Sequence, residues 1–417
     1  MPARVLATAG IAFLVIIVNT SLSHAEDMCL VRTSQDILDC VLQKHPDVIN
    51  AQAEKFRDEK LVNIAKQRPN PELESRILGG QTADDTNLNT ETSLLHTLEL
   101  GGKRKYRIGQ AKVLAEKSGV QVKRNQEEVA LQTVLTLYRL RQIKSELGRA
   151  DETLATFNKI LSTFKSRPKL PPEQEVSQSS FSLAREDYKL KKISLLQEQA
   201  NLVAWLEVAT GVSEQSILRH LPSSKTKWPQ LEKSTEHAQP SNATLEGART
   251  EKKLSEANVS IAKSNAWPDL KIGPSFDTET LDNGGSRWLG GVNFSVPIPI
   301  LNWNRGEKAF AKADQLRAQT NLDLIVKKTT SERALQLKRY QASLKALRST
   351  QQVSGLAAEH QNIEDFFEKG LVTSTLVIET HRQLYDITRT RNEQELTGVD
   401  ALWRLYILDG TFMEGKI

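Results

Sequence analysis

Residues 51–73 are written a second time at 248–270. A shift of 197 positions lays Ala51–Leu73 on Ala248–Leu270, and ten of the 23 pairs are identical, among them Glu54/Glu251, Ala65/Ala262, Lys66/Lys263, Pro71/Pro268 and Leu73/Leu270. Solenoid units repeat every 20–50 residues or so, and this period is far longer. The chain is therefore a duplicated half-protein, and each half must fold to the same plan. In both, the repeated segment runs into a short alternating stretch and then into a long helical pattern.

Proline marks where helices are absent, because it breaks helix interiors. None occurs between Pro71 and Pro168, between Pro172 and Pro222, or in the 118 residues after Pro299. Within the first of these stretches Leu140, Ile143, Leu147, Ala150, Leu154, Phe157, Leu161 and Phe164 step by three and four. That 3.5-residue period is a coiled-coil seam rather than the broad face of a globular helix. Aromatic residues make up 6% of the chain and charged residues 26%, which suits long helices with a narrow apolar stripe. A helix from Lys105 to Lys165 would be ~90 Å long. Pro168–Pro172 turns the chain, and Glu173–Val208 returns. The second copy is expected to run out from Gly306 to about Phe367, turn at Lys369–Thr373, and run back over Ser374–Leu408. Long hairpins like these leave most of their length unpacked in a single chain, so lateral partners are expected.

Before each hairpin the period changes to two. Leu73, Ser75 and Ile77 alternate with Glu72, Glu74 and Arg76, and Thr92, Leu94, His96, Leu98 and Leu100 with Ser93, Leu95, Thr97 and Glu99. In the second copy Leu270, Ile272, Pro274 and Phe276 alternate with Asp269, Lys271 and Ser275. Trp288, Gly290, Val292, Phe294, Val296 and Ile298 alternate with Leu289, Gly291, Asn293 and Ser295. Strict alternation of this length predicts half-buried strands. At about ten residues each they can cross a bilayer when tilted, and their polar connections fit an outer-membrane barrel. Trp267 and Trp303 bracket the second pair, as an interfacial belt or as ordinary packing. Four strands cannot close a barrel whose smallest form has eight, so closure must draw on several chains.

The first 25 residues read as a secretory signal: Arg4, the apolar run Leu6–Val18, and Ser23-His24-Ala25 as the cleavage site. The net charge of +5 falls by one when Arg4 is removed. Both signs are interleaved along the chain, which argues against a nucleic-acid surface. Cys29 and Cys40 are the chain's two cysteines. In an exported protein they form a disulfide or stand as two free thiols, and the oxidising compartment favours the bridge. No residue set supports catalysis, a cofactor or a metal: the seven histidines are scattered, without a His-Glu-x-x-His motif, and Gly101-Gly102-Lys103 lacks the frame of a phosphate loop.

Several short motifs join these features. They are the helix start His45-Pro46-Asp47, the strand starts Pro71/Leu73 and Pro268/Leu270, and Leu98-Glu-Leu-Gly-Gly-Lys-Arg104 after the first strand pair. Val296-Pro-Ile-Pro-Ile-Leu301 and Asn304-Arg-Gly306 follow the second pair, and Phe367-x-x-Gly370 with Leu384 lies near the end. Together they resemble the TolC family of outer-membrane efflux proteins, over essentially all of the chain after residue 25. Leu98–Arg104 is most similar to the family's heavy-metal branch.

The resemblance implies an α plus membrane-β fold. Residues 26–215 and 241–417 would be two structural repeats with β-hairpins at about 71–100 and 268–300, joined by an equatorial linker at 216–240. Three chains would form a twelve-strand outer-membrane barrel continued by a periplasmic α-helical barrel. The implied function is the exit duct of a tripartite efflux system that passes substrates, heavy-metal cations among them, to the exterior. The implied partners are a periplasmic adaptor and an inner-membrane pump of the resistance-nodulation-division type. The alternative is a periplasmic coiled-coil adaptor or scaffold without a barrel, which would carry one hairpin flanked by glycine-rich β-domains.

The resemblance also places candidate residues. Gly370, Leu371, Thr373 and, in the first hairpin, Leu170 would be adaptor-contact tips. The family's turn glycine is present as Gly370 but replaced by Pro168–Pro172 in the first copy. Glu379 would line a narrow periplasmic gate, with Glu368 and Asp365 next in order. Three copies of Glu379 converging on an axis should raise at least one carboxylate pKa. The plainer reading of Glu379 is a solvated carboxylate on a coiled-coil face.

Overall fold

A computed structural model describes residues 29–81, 86–167, 169–231, 242–280, 285–350 and 353–417. The signal segment 1–25 and most of the linker's second half lie outside the described residues. α1 (Ser34–Lys44) opens with a capping box made by Thr33 and Asp36. His45 ends it and starts α2 (Pro46–Lys66): the Asp47 amide donates to His45 Nδ1 at 3.2 Å, and Pro46 takes the first-turn position whose amide needs no partner. β1 (Glu72–Gln81) and β2 (Thr86–Leu98) follow, then α3 (Lys103–Lys165) and α4 (Pro172–Thr210). α3 has 63 residues, ~95 Å at 1.5 Å per residue. A short helix, α5 (Glu214–Arg219), precedes the second copy.

The second copy repeats the order: α6 (Ala243–Ser264), β3 (Leu270–Thr280), β4 (Ser286–Ser295), α7 (Arg305–Ser349), α8 (Val353–Glu368) and α9 (Ser374–Leu408), closed by a 3-10 turn at Phe412–Glu414. Two sequence expectations need correction. The outward helix of the second copy is not continuous to Phe367: it stops at Ser349 and resumes at Val353. Ser349 Oγ and Thr350 Oγ1 both donate back to the Ala346 carbonyl, at 3.1 and 2.9 Å, and Arg391 of α9 donates to the carbonyls of Leu347 and Thr350. Those bonds satisfy the last turn from outside the helix, and Thr350 takes an extended backbone. The final strand ends at Ser295 rather than running on through Ile298, because Pro297 and Pro299 have no amide to donate.

The coiled-coil seam is buried as its period requires. Leu140, Ile143, Ala150, Phe157, Leu161 and Phe164 are all buried, with Leu147 and Leu154 half-buried. One cluster gathers Ile37, Val41, Val48, Leu140 and Leu206 where α1 and α2 cross α3 and α4. A second centres on Trp403 and Tyr138, and a third on Phe157, Phe181, Tyr188 and Tyr385 near the hairpin ends. Cys29 and Cys40 are bonded, with 6.0 Å between Cα atoms, and tie the entry segment to α1.

Candidate channel wall and hairpin tips

The four strands form one antiparallel sheet in the order β1-β2-β3-β4, so the two repeats meet edge to edge. Their register decides which residues share a face. Leu73 pairs with Leu94, Ile77 with Thr90, Thr92 with Phe276, His96 with Ile272, Pro274 with Val292 and Ile272 with Phe294. Directly opposed residues lie on the same side of a sheet. One face therefore carries Leu73, Ile77, Leu94, Leu98, Ile272, Pro274, Phe276, Trp288, Val292 and Phe294. The other carries Glu72, Glu74, Arg76, Glu91, Lys271, Asp277, Arg287 and Asn293. The apolar face is open: Leu73, Trp288, Val292 and Phe294 are each at least 70% exposed. Residues beyond the sheet, Ile298, Ile300 and Leu301, extend the exposed apolar surface.

The sheet is joined firmly to the helices. Lys103 Nζ sits 2.7 Å from Asp269 Oδ1, and the Leu100 amide donates to the same oxygen, so the first strand pair and α3 are tied to the start of β3. Among the described residues no helix is long and apolar enough to cross a membrane.

The two hairpin tips lie side by side against one cluster. Gly370, at φ +71°, takes the left-handed position that closes α8; its amide donates to the Phe367 carbonyl and that of Leu371 to Phe366, both at 2.9 Å. This double bond pattern favours glycine, which has no Cβ to clash there. Leu371 and Thr373 are exposed beside it, and Leu170 of the other tip packs against the Phe157–Phe181 cluster. A groove between the tips is lined by Phe164, Arg167 and Gln174 on one side and Phe367, Val372 and Thr373 on the other.

The three candidate gate acids are not brought together within the chain. Glu379 is bound by Arg382, at 2.6 and 2.9 Å, and by Gln383 at 2.8 Å. Those bonds, from Arg382 first, hold its carboxyl at about 2. Glu368 pairs with Lys159 of α3, and Asp365 is exposed beside Gln361.

The structure gathers a cluster that the scattered histidines do not announce. His360 and Glu364, one turn apart on α8, meet His381 of α9. His381 Nε2 lies 3.1 Å from Glu364 Oε1, and His360 Nε2 lies 3.3 Å from both nitrogens of His381. Thr153 Oγ1 of α3 is 3.1 Å from His381 Nδ1, and Thr156 Oγ1 donates to Glu364 Oε1 at 3.1 Å. Burial first, and then His360, pushes the His381 pKa down to about 3. A signal for this set was present. His360 and His381 lie ten residues to either side of the Gly370-Leu371 turn, and His360-x-x-x-Glu364 puts both side chains on one helix face.

Comparisons with known proteins agree with this geometry. No family model matches the chain. The solved structure of CusC, a transmembrane channel protein, superposes with a TM-score of 0.71 over 92% of this chain and 93% of its own, at 14% identity. The CmeC outer membrane channel of Campylobacter jejuni gives 0.68 over 98% and 94%, at 13% identity. The fold is that of the TolC-family outer-membrane channels. Among curated proteins, the cobalt-zinc-cadmium resistance protein CzcC of Cupriavidus metallidurans is 25% identical over 272 residues, 60% of this chain. That match spans 59% of CzcC.

Proposed function

We propose that the chain is one third of an outer-membrane exit duct in a tripartite efflux system. Three chains would set four strands each into a twelve-strand barrel, and their hairpins would form a tunnel through the periplasm. The observation that carries this reading is the exposed apolar sheet face. Left in water, such a surface would be an aggregation site, and its edges at β1 and β4 have unpaired backbone groups. Lipid covers the face, and neighbouring chains pair the edges. The polar face, with Glu74, Arg76, Glu91 and Asp277, then lines a wet lumen.

The exposed tip residues Gly370, Leu371 and Thr373, with Leu170 beside them, are the adaptor-contact surface, and a proton-driven pump of the resistance-nodulation-division type lies beyond it. The similarity to CzcC supports heavy-metal cations as cargo. Glu379, with Glu368 and Asp365 nearer the tip, sets the cation preference of the narrow end.

The test is membrane fractionation followed by planar-bilayer recording. Purified protein from the outer-membrane fraction should open stable conductances. A chain recovered in the soluble periplasmic fraction, with no conductance, would support the adaptor or scaffold instead.

A further inference from the structure

The side chains around His381 bring three nitrogen and oxygen ligand atoms together in one buried place. The Thr153 hydroxyl has a single proton, and it goes to the Arg149 carbonyl at 2.9 Å. With its proton on that carbonyl, Thr153 Oγ1 accepts from His381 Nδ1–H, 3.1 Å away, in the tautomer that a metal at Nε2 needs. Nε2 is then a lone pair, and it lies 3.1 Å from Glu364 Oε1, itself an acceptor. In that tautomer two acceptors face each other, both histidines are at most 5% exposed, and His360 Nε2 lies 3.3 Å from His381 Nε2 and 3.8 Å from Glu364 Oε1.

The geometry points to a resident divalent metal ion, of the zinc, cobalt or nickel class, bound by His360, Glu364 and His381. The three donor atoms are 3.1, 3.3 and 3.8 Å apart. A tetrahedral ion with bonds of about 2.05 Å needs ligand separations of about 3.3 Å. The imidazole rings now stand at 89° to each other, and a turn of the His360 ring about its soft second torsion aims its lone pair at the shared point. Two imidazoles and one carboxylate suit borderline transition metals, whereas calcium and magnesium prefer all-oxygen sites. Water would complete the fourth position. Thr153 is a positioning residue, fixing the His381 tautomer as outer-shell partners do.

The site's burial separates it from cargo passing down a tunnel. It clasps α8, which restarts after the break at Ser349, to α9 and α3 just behind the Gly370 tip. This inference does not depend on the proposed efflux role, since a scaffold could carry the same clasp.

The test uses the full chain, purified in detergent without a histidine tag, stripped with chelator and dialysed. Zinc titration by calorimetry should find one tight site per chain, and cobalt should give the visible absorption of a tetrahedral ion. His360→Gln and Glu364→Gln should each weaken zinc binding by about 100-fold, and Thr153→Val by about tenfold. Circular dichroism confirms that each variant is folded, and His381→Gln provides a further variant. Wild-type protein that takes up no stoichiometric zinc overturns the assignment. So does uptake unchanged in the folded His360→Gln or Glu364→Gln variant, which would place the metal on surface carboxylates.

Discussion

Glu127 is a carboxyl buried in α3 where α6 begins, and it accepts the Ala243 amide at 3.0 Å. Burial pushes its pKa up to about 7 from 4.5. Between those values the folded chain holds a proton that the unfolded chain has lost, so stability falls as pH rises through that window and levels off above about 7. Glu127→Gln keeps the acceptor and removes the charge. It should flatten that part of the stability–pH curve and add about 1–2 kcal/mol at pH 8, read as a higher thermal midpoint. An unchanged slope would show that Glu127 stays ionised in the folded protein. Glu379 has the opposite character. Because Arg382 and Gln383 hold its carboxyl at about 2, it stays charged at any working pH. If it lines the gate, block of conductance by trivalent cations should persist down to pH 4, weaken in Glu379→Gln and strengthen in Arg382→Gln. Equal block in all three proteins would move the constriction elsewhere.

The helices are held at mid-length by a buried ionic network. Arg139 spans Glu146 at 2.9 Å and Glu198 at 2.7 Å, and Asn392 of α9 donates to Glu146 at 2.9 Å. Glu395 of α9 pairs with Arg141 and accepts from Ser224 and the Lys225 amide, pinning the equatorial segment. Glu146 is fully buried, so Glu146→Ala leaves Arg139 with Glu198 alone and the buried Asn392 amide without its acceptor, and should cost about 2–3 kcal/mol in thermal or denaturant unfolding. Glu198 is exposed enough that Glu198→Ala should cost under about 1 kcal/mol. Equal costs would mean that burial does not set the value of these pairs. In the sheet, a Cβ on Gly273 would run into the Leu94 carbonyl oxygen. Gly273→Val should therefore abolish membrane assembly while leaving the helical circular dichroism in place; normal insertion of the variant would show that β2 and β3 need not approach so closely.

Much of this architecture was legible in the sequence because it rests on periodicity. The a/d steps from Leu140 to Phe164 report burial directly, the alternation from Trp288 to Phe294 reports which residues share a sheet face, and the copied segment 51–73 announces the second half. The break at Thr350 was not legible, since it depends on Arg391 reaching across from another helix. The Arg382 that depresses Glu379 lies three residues on along the same helix, a spacing that allows the pair without fixing the rotamers that make it. The His360–Glu364–His381 cluster needed the hairpin register around Gly370 before three separated residues could be seen as neighbours.

For the whole molecule, the central claim is that the chain completes its sheet with two copies of itself. Its apolar face is built from both repeats, its edges at β1 and β4 are open, and ~95 Å of hairpin stands beneath it. One chain cannot cover these surfaces, and three chains supply twelve strands, more than the eight of the smallest membrane barrels. Native mass spectrometry of protein extracted from outer membranes in mild detergent tests this most directly. The account predicts a single species of three chains that survives partial denaturation and conducts in a bilayer. A monodisperse, membrane-embedded single chain would contradict it.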